Sequence, residues 1–181
     1  DLRIWSRKTP DDPNRLFRWH LSGLEAPADV VFEGFVHRLL EYHRHWTREF
    51  VDGRVLETLS AEARVLYQRF NPGVPGIAQR DLCSIEVVRD LGRGRKLASY
   101  RSSERFPKVP GHERIDWWGA ALCTTSDDGE HSDLVYLDRE NQGGYFPAWL
   151  MNLAMPSYLV KQADAVRAFF RDGGPAELRS Q

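Results

Sequence analysis

Gly143-Gly144-Tyr145-Phe146-Pro147-Ala148-Trp149-Leu150-Met151-Asn152-Leu153-Ala154-Met155-Pro156 is the most apolar stretch of the chain, and its reading decides the fold. It has the look of a helix start, with a glycine pair before it and a proline inside it. Three readings compete: a core helix, a membrane helix, or a cover over something. No uninterrupted apolar run in the chain reaches the ~18 residues that a spanning helix needs, which removes the membrane helix. The helix continues to Asp172-Gly173-Gly174-Pro175, a stop signal. That makes it roughly 24 residues long, within the usual range for one domain's longest helix.

Upstream, the apolar period is different. Leu2 to Thr9 and Leu16 to Leu24 read as two strands around the turn cluster Pro10-Asp11-Asp12-Pro13-Asn14. Pro27 and Asp29 mark a helix start. Val31, Phe35 and Leu39, with Phe32, Val36 and Leu40 beside them, give that helix one broad apolar stripe ending near Trp46. From residue 50 to 140 the period becomes 2. Runs 55–59, 65–70, 82–88, 97–102, 115–125 and 134–139 read as strands, with tight turns at Gly92-Arg93-Gly94 and Asp127-Asp128-Gly129. The sum is an α+β chain: a mostly antiparallel meander and one long C-terminal helix. A strongly curved sheet wrapped around that helix, a helix-grip arrangement, buries both apolar faces and leaves room for a cavity. Residues 1–171 are expected to be one domain, and residues 172–181 a frayed tail.

Composition narrows the function classes. A length of 181 residues, 41% apolar, with a formal net charge of −1, suits a single globular domain. The charge balance argues against nucleic-acid binding, which needs a local excess of Lys and Arg. The basic run Arg93-Gly94-Arg95-Lys96 reads as a solvated hairpin tip. Cys83 and Cys123 are too few for a disulfide framework, so a cytoplasmic location is the default expectation. The chain starts at Asp1, which leaves room for a removed targeting segment.

Three landmarks resemble one known family. Asn71-Pro72-Gly73-Val74-Pro75-Gly76-Ile77-Ala78-Gln79-Arg80-Asp81 is similar to its Pro-containing loop ending in Arg-Asp. Tyr100-Arg101-Ser102-Ser103-Glu104, with Pro107 and Pro110 following, is similar to its strand and Pro-rich crossing. The opening stretch resembles its approach to the C-terminal helix, Gly-x-x-Pro-x-x-(apolar)-x-Asn. The family is the START domain, the lipid-transfer domain related to the steroidogenic acute regulatory protein, and the likeness spans residues 2 to 170. It implies a hydrophobic tunnel holding one lipid-like molecule, with the C-terminal helix as its roof and residues 71 to 80 as an Ω-shaped loop. Leu150, Leu153 and Ala154 are then expected to face the tunnel, with Trp149 outside. Pro156 should kink the roof. The tip Val74-Pro75-Gly76-Ile77 either touches a membrane during exchange or packs on the roof.

One position departs from the pattern. Glu86 falls at the inward position where several phospholipid- and sterol-binding relatives carry arginine. Alternation gives it Ser84 and Val88 as neighbours on its face. Depending on register, Arg101 or Tyr100 lies opposite, with Tyr67 and Arg69 on the other side. The expectation is a polar anchor, Glu86 paired with Arg101 or Arg69, that favours a hydroxyl- or amine-bearing ligand over a phosphate; an ordinary exposed strand glutamate is the plain alternative. Trp117-Trp118 puts one indole on each face, and Trp118 is assigned to the tunnel. The expected ligand set is therefore Tyr67, Arg69, Val74, Ile77, Ser84, Glu86, Tyr100, Arg101, Trp118, Leu150, Leu153 and Ala154.

Other motifs carry less. His43 and His45 point apart on a helix and lack two further zinc ligands. His131-Ser132-Asp133 cannot form a triad from adjacent strand positions. Gly92-x-Gly94 lacks the strand-turn-helix setting of a dinucleotide loop. No catalytic residue, metal or cofactor is expected. The reading is a monomeric, non-enzymatic lipid-binding or lipid-transfer domain with a sterol or other apolar ligand, in transient contact with a membrane surface. Its rivals are a helix-grip enzyme of the aromatase/cyclase or hydrolase type and a ligand-sensing module of a longer protein.

Overall fold

The computed structural model describes residues 1–179. Among them nine strands form one sheet: β1 (Leu2–Thr9), β2 (Asp12–Leu24), β3 (Phe50–Ser60), β4 (Ala63–Phe70), β5 (Gln79–Gly92), β6 (Arg95–Ser102), β7 (His112–Arg114), β8 (Asp116–Thr125) and β9 (Ser132–Asn141). The spatial order is β1-β2-β9-β8-β6-β5-β4-β3, with the short β7 parallel to β5. Every other pairing is antiparallel. Register shifts at Leu21/Leu24, Val55/Glu57 and Asp90/Gly92 mark irregularities of the kind that bend a sheet.

The long helix α3 (Ala148–Phe169) lies in the concave side. Met155, Leu159, Ala163 and Val166 are its buried stripe, at spacings of four, four and three. They join Trp19, Leu21, Leu134 and Phe170 in one core. This is the helix-grip fold expected from the change of period.

The first helix is broken rather than continuous. α1 (Ala28–Phe32) passes into a π turn at Glu33–His37, then α2 (Leu39–Tyr42) and a 3-10 turn at His43–His45. The wide turn leaves the carbonyls of Val36 and His37 free to accept from Arg64, at 2.8 and 2.9 Å. Gly34 lets the C-terminal side chains pack close against the break. A Cβ there would stand 2.8 Å from Leu178 Cδ1 and 3.0 Å from Phe170 Cζ.

That contact corrects the expected frayed tail. Arg171–Gly173 forms a 3-10 turn, Gly174 turns the chain back with φ +77°, and α4 (Ala176–Arg179) returns Leu178 to the core, 3% exposed. Ser180 and Gln181 lie outside the described residues.

The opening stretch is anchored at both ends. Gly143 has φ +68°, and a Cβ would meet the Arg114 carbonyl oxygen at 2.7 Å, so only glycine fits. Asn152 ties the first turns of α3 to the start of β2. Its Nδ2 donates to the Pro13 carbonyl (2.9 Å), and its Oδ1 accepts from the Arg15 backbone N–H (3.0 Å). Pro156 sits inside α3 without ending it.

Candidate functional site: a cavity under the C-terminal helix

Between the sheet and the first half of α3 lies a cavity of about 430 Å³. Each wall follows from strand alternation. Inward positions of β4 to β6 give Gln68, Phe70, Arg80, Leu82 and Tyr100. β8 gives Trp117. β9 gives Tyr136, Asp138 and Glu140. The broken helix contributes Phe35, Leu39, His43 and Trp46. α3 closes the space with Met151, Ala154, Met155 and Tyr158, and Val74 from the 71–78 loop stands beside Phe146.

Of the expected ligand residues, Val74, Tyr100 and Ala154 stand on this wall. The others do not. Tyr67 faces the convex side, where it packs with Val65, Cys83 and Phe106 in a second small cluster. Both faces of β4 are therefore covered, and apolar residues alternate on neither side alone. Leu66 and Gln68, not Tyr67 and Arg69, point inward. Arg69 pairs with Asp52 on the outside. Arg101 is exposed and lies opposite Ile85, while Tyr100 is the residue opposite Glu86. Trp118 is outside and Trp117 inside, because Gly119, Ala121 and Cys123 share the phase of Trp117. Ile77 is half-buried in its loop and off the wall.

On α3 the cavity stripe is Met151, Ala154, Met155 and Tyr158. Leu153 is 71% exposed and Leu150 37% exposed, on the outer side with Trp149. The helix is rotated from the expected orientation by the demand that Met155 and Leu159 share the stripe of Ala163 and Val166.

Glu86 and Ser84 are buried on the inner face, yet neither lines the cavity. Glu86 accepts from Arg64 Nε at 2.6 Å, so its partner is neither Arg101 nor Arg69. Residues 64 and 86 face each other in the β4–β5 register. Burial pushes the Glu86 carboxyl up, and Arg64 opposes that shift. This pair binds the sheet to the broken helix and is a structural tie.

The cavity's own polar groups were not read from the sequence. Asp138 is 7% exposed and accepts from Trp117 Nε1 through Oδ1, at 2.5 Å. Glu140 stands two positions on, and Glu49 approaches from the segment before β3 with a buried Oε2 that lacks a partner among the described residues. Burial pushes Asp138 up to about 6. Burial, then the charges of Asp138 and Glu49, push Glu140 up to about 8. Tyr158 is pushed up by burial and by all three acids. His43, half-buried, is pushed down to about 4 by burial, which keeps the ring neutral, and its Nδ1 donates to Gln68 Oε1 at 2.9 Å. Arg80, the one arginine on the wall among the described residues, is 3% exposed with an unpartnered Nε. Its guanidinium lies 5.8 Å from the Phe146 ring centre.

The signal for these acids was present in β9. Leu134, Tyr136, Asp138 and Glu140 share one face, and that face turns from apolar to acidic. The opposite face, with Val135 and Leu137, is equally apolar, so the phase was ambiguous.

The arrangement fits a molecule with a long apolar body and a small polar end. Among the described residues no group of three or more His, Cys, Asp or Glu is placed to hold a metal ion, and no helix is long and apolar enough to cross a membrane.

Comparison with known proteins agrees with this geometry. A STAR-related lipid transfer protein from Xanthomonas axonopodis superposes with a TM-score of 0.79 at 21% identity, covering 94% of each chain. Human StAR-related lipid transfer protein 5 gives 0.77 at 15% identity, over 94% of this chain and 84% of that one. The Zhui aromatase/cyclase from Streptomyces sp. R1128 gives 0.59 at 17% identity, over 93% of both. At these identities the likeness is one of fold. No curated protein sequence matches the chain. The family model of the START domain matches residues 6–174, nearly the whole chain, and the chain belongs to the START domain family.

Proposed function

We propose that this domain is a non-enzymatic carrier that holds one hydrophobic molecule, a sterol or another lipid, in the cavity under α3. The observation that carries this reading is the cavity of about 430 Å³, walled mainly by aromatic and aliphatic side chains. Removing apolar ligand surface from water supplies the driving force, at roughly 25 cal/mol per Å². The rim suits loading from a membrane surface. Trp149 is 67% exposed, and Tyr145 and Leu153 are likewise exposed around the start of α3. Aromatic and aliphatic side chains at such a rim partition into the interface of a bilayer.

Native mass spectrometry after incubation with a total lipid extract tests the reading. One retained lipid per chain is the expected result, and Ala154→Trp at the cavity wall should reduce that retention. A chain that retains nothing but turns over an ester or polyketide-like probe would be an enzyme. That second reading has one observation in its favour: Asp138, buried, and Glu140, half-buried, are a carboxyl pair with shifted protonation in a cavity, a common setting for acid-base chemistry.

A further inference from the structure

Resting on the carrier reading, we infer that the cavity selects a ligand whose polar end is a protonated amine. Three carboxyl groups, Asp138, Glu140 and Glu49, reach one cavity. Asp138 is more than nine-tenths buried, and Glu49 Oε2 is buried with no hydrogen-bond partner among the described residues. Gln142 Nε2 donates to Glu140 Oε1; ionised carboxyl oxygens only accept, so the remaining ones, Glu49 Oε2 among them, ask for donors. An ammonium group offers three donors and a positive charge from one atom, and charge-assisted bonds are roughly twice as strong as neutral ones.

Among the described residues no cationic side chain acts on Asp138 or Glu140. Arg80 is the one arginine on the wall among the described residues, and the charge it responds to is that of Glu113. His43 is neutral and bonded to Gln68. The charges acting on Glu140 are those of Asp138 and Glu49, both of its own sign. In the empty cavity, burial and this repulsion force protons onto the pair. A bound ammonium removes the repulsion. A phosphate would add to it.

The test compares three probes of one chain length: dodecylamine, dodecanol and dodecyl phosphate. Binding is followed by titration calorimetry and by native mass spectrometry. The expected result is one dodecylamine per chain, held at least about tenfold tighter than dodecanol, with dodecyl phosphate the weakest. In the Asp138→Asn/Glu140→Gln variant the amine-to-alcohol ratio should fall toward one. Glu140→Gln alone, for use if the double variant fails to fold, should give an intermediate ratio. Equal or tighter binding of dodecanol by the native chain overturns the inference and leaves the carrier reading standing. An amine advantage that survives in the variants also overturns it, because the preference would arise elsewhere. Failure of all three probes to bind overturns the inference, and retention from the total lipid extract then decides the carrier reading separately.

Discussion

Glu86 and Glu140 are two glutamates on the concave face of one sheet, and their surroundings are opposite. Glu86 has Arg64 at 2.6 Å, and that arginine also donates to two carbonyls of the broken helix. Glu140 has Asp138 and Glu49 as its charged neighbours. A buried charge with a cationic partner and hydrogen bonds is a structural joint. A buried charge set among its own kind is a cost that folding alone has no use for. The second arrangement is what a binding site looks like before its ligand arrives.

The largest effect is expected at the joint. Arg64→Ala leaves Glu86 buried and unpaired and frees the Val36 and His37 carbonyls. The expected loss is about 3–5 kcal/mol in urea unfolding. Replacing both partners by apolar residues, Arg64→Met with Glu86→Leu, should recover most of the ion-pair part of that loss. If Arg64→Ala costs as little as a surface pair, the distinction drawn between the two glutamates fails.

Glu140→Gln should act in the other direction. In the folded chain the Asp138 and Glu140 pair holds protons that the unfolded chain gives up at lower pH. Folded values near 6 and 8 stand above ordinary values of 3.8 and 4.5. The native state therefore binds more protons, and stability falls as pH rises from about 3.8 through about 8. Glu140→Gln should flatten that fall and stabilise the protein by on the order of 1–3 kcal/mol at about pH 8, read from melting curves across the range. A native stability profile that rises through this window would show that the pair is ionised and satisfied.

The same contrast explains what was legible in the sequence. The fold was, because the change from period 2 to period 3.6 and the Gly-Gly…Asn approach to α3 are local signals. Strand phase was not, wherever both faces of a strand are covered. Val65, Leu66, Tyr67 and Gln68 are all buried, so no alternation distinguishes inside from outside on β4. Leu134 to Leu137 pose the same problem on β9. A slip of one position put Tyr67, Arg69 and Trp118 on the wrong face and left Tyr100 and Arg101 undecided, and no phase was assigned to β9, where Asp138 and Glu140 lie. Glu86 was placed inward correctly, but its partner depended on the offset between β4 and β5, which is set by the long 71–78 loop. The break in the first helix had no local signature beyond Gly34, whose contact partners Phe170 and Leu178 lie far along the chain.

The smallest effect on stability is expected at Asn152, and it bears on how the cavity opens. Pro156 cannot donate to the Asn152 carbonyl, so the first two turns of α3 lack one backbone hydrogen bond. Trp149, Leu150 and Leu153 face outward there, leaving Met151 and Met155 as the main apolar hold. The Asn152 side chain supplies the remaining polar tie, through Pro13 and Arg15. These two bonds are exposed, so Asn152→Ala should lower stability by only about 1 kcal/mol. The ligand exchange rate should rise by more than that figure suggests, because the lost tie holds the segment covering the cavity and not the core beneath Leu159 and Val166. Hydrogen exchange should quicken in residues 148–156 and stay unchanged at 159–166. Faster exchange along the whole helix, with no change in ligand uptake, would mean that α3 moves as one rigid body and that the cavity opens somewhere else.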